Sequence, residues 1–441
     1  MKLFTVAVLL AASVPAAAWA NGRFPDAQQL VVDPGDPEHI FVQTTYGFIR
    51  TRNGGSSWSW TCESAASYGG VLDPAVALLE GGVMIAGVFD GLVVAEPDGC
   101  TMGLVGELED RFVVDVSRLK SDPAHAIALT SNGLGGNQFD TRVWQTVDVA
   151  GSWSALGTPL PAEFLAFTLD AAPSDESVIY LSGFRVLSST MYEGTLVVSN
   201  DGGQTWVSKA IPGSTNGSGP YIAAIDPVDP DTVYVRLASL AGSLLVTHDA
   251  GTSWEVIFEG VGALQAFALS PDGGEVQVGG PDDGVWRSAT DQFAFEKTHD
   301  IAARCLTWTD DALFVCGREA VDDFTIGRST DGGETFQPIH HLFCLEGPEA
   351  ACPNDSQVVQ ECAGPWAAQQ DVLLTEQCET SSGGGGAGGQ GGGNATRDDE
   401  KTGCGCRLST PGGASPFAVF GMLVSVLVWR RSGATERRLV S

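Results

Sequence analysis

Ser199-Asn-Asp-Gly-Gly-Gln-Thr-Trp206 is an eight-residue phrase that returns along most of the chain. Written as Ser/Thr-x-Asp-x-Gly-x-x-Trp/Phe, it recurs at residues 51–58 with Asn53 in the Asp place, and at 146–153 with Ala150 in the Gly place. Further copies stand at 247–254 and 329–336. Its chemistry is that of a tight hairpin. The first hydroxyl and the third-position carboxylate exchange hydrogen bonds with the turn's own backbone. Glycine supplies a left-handed residue, and the ring folds under the turn as an anchor. Asn53, Asp148, Asp201, Asp249 and Asp331, with Trp58, Trp153, Trp206, Trp254 and Phe336, are therefore read as structural.

Degenerate copies fit at 95–102, where Pro97 replaces the Asp and Gly99 is kept, and at 288–295, with Thr290 and Gln292. The starts 51, 95, 146, 199, 247, 288 and 329 are then separated by 44, 51, 53, 48, 41 and 41 residues. A turn rich in Asp and Pro precedes each copy, as in Asp73-Pro74 and Asp122-Pro123, and also gives seven units. Inside a unit the segments are short and strand-like, for instance 221–225, 232–236, 243–247 and 253–258. Four strands per repeat predict an all-β fold, a single seven-bladed β-propeller over residues 24–339.

The phrase resembles the Asp-box of the bacterial neuraminidase repeat, found in sialidases, sortilin-type receptors, xyloglucanase-like hydrolases and a photosystem II assembly factor. There it joins the third and fourth strands of a blade, which implies the same place here. In an up-and-down blade the Asp/Pro turns and the boxes then share one face. The other face carries the loops between second and third strands, predicted to be long in blades 3, 4 and 7, at 131–142, 182–194 and 317–327. Long loops on a rigid scaffold favour binding. Asp140, Arg142, Arg185, Tyr192, Glu193, Arg318, Asp322 and Asp323 form the candidate rim, with solvated loop decoration as the alternative.

The ends speak to address. Met1-Lys2, an apolar run and Ala18-Trp-Ala20 read as a signal peptide over 1–20. Ten cysteines in an exported chain favour disulfides. Cys305 with Cys316, and Cys62 with Cys100, are the expected propeller pairs. Cys344, Cys352, Cys362 and Cys378 lie in a cap over 340–380, expected on the last blade with a helix-like piece at 366–374; their spacing favours disulfides over zinc. A Gly-rich linker at 381–402 follows. Residues 403–441 hold Cys404, Cys406, an apolar segment near 412–429 and terminal arginines. This end resembles a MYXO-CTERM sorting tail, which implies a bacterium, processing by a membrane protease, and anchoring to the membrane or cell surface with release as the alternative. A net charge of −31 excludes nucleic acid as a natural partner.

A sialidase resemblance implies three arginines, a tyrosine nucleophile with a glutamate, an aspartate acid and Arg-Ile-Pro before the first box. Residues 46–50, Tyr-Gly-Phe-Ile-Arg, lack that signature. No paired carboxylates can be placed at the channel mouth by spacing, and no cofactor is expected. The sequence thus predicts a non-catalytic surface module that binds a glycan or protein. The alternative is an extracellular glycoside hydrolase, sialidase-like or xyloglucanase-like.

Overall fold

The computed structural model describes residues 25–69 and 72–378. The signal segment, the Gly-rich linker and the tail with Cys404 and Cys406 lie outside the described residues. Seven antiparallel four-stranded sheets follow one another along the chain, each in simple meander order. They run Ala27 to Thr61 (blade 1), Ala75 to Leu104 (2), Val113 to Leu156 (3), Phe164 to Ala210 (4), Gly219 to Glu259 (5), Ala266 to His299 (6) and Cys305 to His340 (7). The first strands of all seven contact one another in a ring, and blade 1 meets blade 7, so the sheets form a closed propeller. No helix among the described residues is long and apolar enough to cross a membrane.

Burial follows rank within the blade. The third strand of blade 1, Gly47–Thr51, is buried along its whole length, because blades cover it on both faces. The outer strand of blade 4, Val207–Ala210, is largely exposed. Between them, apolar clusters join neighbouring blades, such as Leu129, Val143 and Leu156 of blade 3 with Leu169, Leu181 and Val197 of blade 4.

The repeated phrase forms the turn between third and outer strands. In blade 4, Ser199 Oγ donates to Asp201 Oδ1 (2.8 Å) and accepts from the Gly203 amide (2.8 Å). Asp201 also receives the amide (2.8 Å) and hydroxyl (2.6 Å) of Thr205. Blades 1, 3, 5 and 7 repeat the hydroxyl-to-amide bond, at Gly55, Ala150, Gly251 and Gly333. Gly203 sits at φ +82°, and a Cβ there would come within 2.7 Å of Leu156 in blade 3, so this turn is also an inter-blade contact. Trp58 and Trp153 are buried under their turns, whereas Trp206, Trp254 and Phe336 are half-buried.

These carboxylates give the fold a pH signature. Hydrogen bonds from Thr205 and Ser199 hold Asp201 down at about 2, and those from Ser253 and Thr247 do the same for Asp249. Each folded pKa lies below the unfolded value, so the stabilisation is complete above about pH 4 and is lost as pH falls towards 2. Thermal melts should therefore drop between pH 4 and pH 2, and an Asp201→Ala, Asp249→Ala variant should show a shallower drop. An unchanged slope would remove these turns as its source.

Three features differ from the sequence expectations. Cys62 and Cys100 do not pair with each other: the bridges are Cys62–Cys362, Cys100–Cys352, Cys305–Cys316 and Cys344–Cys378. The cap packs on blades 1 and 2 rather than only on the last blade. It leaves blade 7, pairs with the outer strand of blade 1 (Trp60 N to Gly347 O, 2.6 Å; Glu346 N to Trp58 O, 2.9 Å) and reaches Cys100 of blade 2. The cap helix α1, counted as the first full helix, is Gln357–Leu373 and begins nine residues earlier than expected. Pro365 lies inside it, and Val358, Cys362, Gln369 and Leu373 form one buried stripe whose packing outweighs the roughly 3 kcal/mol proline cost.

The third difference concerns the long loops. In blades 3 and 4 they are extensions of the sheet, with strands running to Gly135 and Ser188 and returning at Gln138 and Met191. In blade 7 the segment forms a short helical turn, Glu319–Asp322.

Candidate functional site

Where blade 7 closes on blade 1, on the face carrying the second-to-third strand connections, several polar groups converge. Asp26 immediately precedes the first strand, and its amide donates to Thr45 Oγ1 at the blade 1 turn (3.0 Å). Arg304 precedes the inner strand of blade 7, and its guanidinium reaches Asp26 Oδ2 (2.5 Å) and Gln265 Oε1 of blade 6 (2.7 Å). Arg318, in the blade 7 connection, approaches the same Oδ2 at 3.5 Å. A carboxylate and two guanidiniums from opposite ends of the chain are thus fixed by the ring's closure.

Asp26 is only 3% exposed. Burial pushes its carboxyl up to about 6, against the pull of Arg318. Its other oxygen, Oδ1, is buried without a hydrogen-bond partner. Desolvation raises the Tyr46 phenol, a hydrogen bond with Thr44 pulls it back down, and the charges of Asp26 and Glu319 push it up. Tyr46 therefore remains a neutral hydrogen-bonding group. An orphaned carboxyl oxygen shut away from solvent costs a few kcal/mol when left unmet.

Glu319 is held firmly by His341 Nδ1, Thr325 Oγ1 and the Leu342 amide, each at 2.9 Å. Asp322 accepts the Arg318 amide (2.7 Å) and the Ala302 amide (3.2 Å). These contacts shape the blade 7 connection. Asp323, at φ +60°, ends its helical turn.

The remaining rim candidates form separate pairs on blades 3 and 4. Asp140 accepts from Arg142 Nε (2.8 Å) and lies 3.7 Å from Arg111. Arg185 pairs with Glu193 across the blade 4 hairpin, and Tyr192 lies edge-on to Phe184. Of the eight sequence candidates, Arg318 touches Asp26, and Asp322 holds Arg318 in place. Asp26, Tyr46, Arg304 and Glu319 escaped sequence reasoning, since Asp26 and Arg304 are 278 residues apart and belong to no motif.

A second acidic pair lines the inner strands of blades 3 and 4. Asp115 accepts the Val116 amide (2.9 Å) and the Leu169 amide across the blade junction (2.8 Å), while Ser117 Oγ donates to Asp170 (2.9 Å). Burial lifts Asp170 to about 6; burial and then the Asp170 charge raise Asp115 well above the carboxylate range. Its bonds to backbone amides make Asp115 a fastening between blades. No group of three or more metal-ligating side chains occurs among the described residues.

No family model matches the chain. Over 64 residues, 14% of this chain and 8% of the relative, it is 44% identical to an oligoxyloglucan-reducing end-specific xyloglucanase of Emericella nidulans. Among solved structures it is similar to an ancestral GH74 enzyme, with 16% identity and a TM-score of 0.53, over 72% of this chain and 46% of that one. It is also similar to the GH74 xyloglucanase of Xanthomonas campestris, with 15% identity and a TM-score of 0.35, over 71% of this chain and 64% of that one. The chain spans less than a tenth of the curated relative and about half of the ancestral enzyme. The curated relative is an enzyme, and that match corrects the sequence expectation of a non-catalytic module; the ancestral enzyme's structure, at 16% identity, shows the propeller fold alone. The sequence reading kept an extracellular glycoside hydrolase as its alternative only, because it sought paired carboxylates by spacing and could place none.

Proposed function

We propose that the chain is an exported glycoside hydrolase of xyloglucanase-like kind, working at the junction of blades 7 and 1. The observation that carries the proposal is Asp26, a buried carboxyl raised to about 6 with one oxygen free of partners. Such a group keeps its proton up to about pH 6 and can deliver it to a leaving glycosidic oxygen. Glu319 is the other carboxylate whose charge acts on Tyr46, which makes it the candidate second carboxylate for hydrolysis. Arg304 and Arg318 steady Asp26, and Tyr46 offers a neutral hydroxyl for a sugar oxygen. A phenol pushed upward is a poor nucleophile, so the sialidase-like alternative is the weaker of the two.

The pairs Asp140–Arg142 and Arg185–Glu193, with Tyr192, would border the substrate path. Four disulfides accord with an oxidising, extracytoplasmic setting. Anchoring by the tail after processing by a membrane protease completes the proposed address. The test is release of reducing ends by the secreted chain from xyloglucan and other β-glucans. Turnover of xyloglucan is the expected result; no release from any glycan would overturn the reading.

A further inference from the structure

Arg236, on the second strand of blade 5 (Val233–Ala238), stands opposite Tyr221 of the inner strand, Gly219–Ile225. Its guanidinium lies over the Tyr221 ring, 4.9 Å from the centroid, and Nη1 donates to Leu264 O at the entry to blade 6 (3.1 Å). Tyr221 in turn stacks on Phe167 of the neighbouring inner strand, with centroids 5.2 Å apart and planes 11° from parallel. Gly219 makes room for this stack, since a Cβ there would meet the Phe167 ring at 3.1 Å. Phe167, Tyr221 and Arg236 are all half-buried, near the loop-rich end of their strands.

The chain carries 54 acidic against 23 basic side chains. The arginines of the blade 7–blade 1 junction and of the blade 3 and 4 hairpins all pair with carboxylates. Arg236 forms no ion pair among the described residues; its neighbours are a phenol, a carbonyl and an aromatic stack. Desolvation lowers its pKa, and burial keeps the facing Tyr221 phenol neutral. Taking a guanidinium out of water without a counter-charge is costly, and of its five N–H donors one is recorded on the carbonyl.

We propose that Phe167, Tyr221 and Arg236 form a subsite for an acidic sugar residue, such as a uronate, within a glycan chain. The guanidinium takes the sugar's carboxylate, which supplies the absent counter-charge, and the edges of the two rings border the pyranose. The inference rests on the proposed glycan substrate only for the class of polymer; the site itself stands on its own geometry.

Calorimetric titration of the full chain carrying Asp26→Asn tests it, with trigalacturonate as the probe and cellotriose as the neutral control. A charge-assisted contact predicts trigalacturonate binding roughly 10- to 100-fold tighter than cellotriose. Arg236→Gln should erase that difference and leave cellotriose unchanged. Tyr221→Ala should weaken both ligands. Arg236→Gln should lower the thermal midpoint only slightly, because it removes one carbonyl bond and one cation–π contact but no ion pair.

Equal affinities for the two sugars, or an uronate affinity unmoved by Arg236→Gln, would overturn the subsite. So would a large loss of thermal stability in Arg236→Gln without uronate binding by the parent, since the arginine would then be a structural tie between blades 5 and 6. Cleavage of xyloglucan with no effect of Arg236→Gln on uronate binding would leave the hydrolase and remove the subsite. Uronate binding through Arg236 with no turnover of any glycan would do the reverse.

Discussion

Asp26→Asn is expected to lower turnover of a glycan substrate by about 10²- to 10⁴-fold, the range associated with losing a positioned general acid. The amide keeps the size of the side chain and still lies between Arg304 and Arg318, but it cannot deliver a proton. In the parent, burial raises the folded carboxyl to about 6, so kcat/KM should decline above about pH 6 as the acid ionises. Stability gives a second readout. A carboxyl whose folded pKa is raised favours the folded state fully below its unfolded value, near 4, and loses that contribution as pH climbs to about 6. Asp26→Asn should flatten this segment of the stability profile. A variant that retains parental turnover would remove Asp26 from the chemistry, whatever the stability profile shows.

Removing the two bridges between cap and propeller is expected to have the largest effect on stability. Blades 1 and 7 are each built from one end of the chain, so no shared sheet locks the ring. The cap takes over that task. From blade 7 it crosses blade 1, where Trp366 packs on Trp60 and Glu349 bonds Arg50 (2.9 Å), and reaches blade 2. Cys62–Cys362 spans 300 residues and Cys100–Cys352 spans 252. Chain-entropy reasoning assigns about 5.5 kcal/mol to either bridge alone.

The two contributions overlap because one loop encloses the other. With Cys62–Cys362 formed, the second bridge restricts only the segments 62–100 and 352–362, or 38 plus 10 residues. It then adds about 4 kcal/mol. A Cys62→Ser, Cys362→Ser variant should unfold at clearly lower guanidinium concentration, and loss of the second bridge should lower it again by less. Hydrogen exchange should accelerate first at the inner strands of blades 1 and 7. A Cys62–Cys100 peptide in non-reducing digests would contradict the arrangement, and an unchanged unfolding midpoint would deny the cap its role in closure.

How much of this could be read from the chain depends on the range of each interaction. The hydrogen bonds of the repeated turn span two to four residues, as between Ser199, Asp201, Gly203 and Thr205, so the phrase declares itself wherever it occurs. Counting the phrase counts the blades, and even the decayed copy near Cys100 keeps its place. Cys305 and Cys316 were legible for the same reason: their strands are neighbours, directly paired in register.

Contacts across the ring leave no such trace. Asp26 is one acidic residue among many until the seventh blade brings Arg304 and Arg318 beside it, and Tyr46 reads as part of an ordinary turn. Cys62 looked like a partner for Cys100 because one follows the first box and the other lies inside the decayed second; only the path of the cap sends them to Cys362 and Cys352. Local hydrogen-bonding chemistry, repeated at a near-constant interval, determined the seven blades by sequence alone. The tertiary structure decided the candidate site, the cross-links and the unpaired Arg236, because each depends on which distant surfaces ring closure brings together and shields from water.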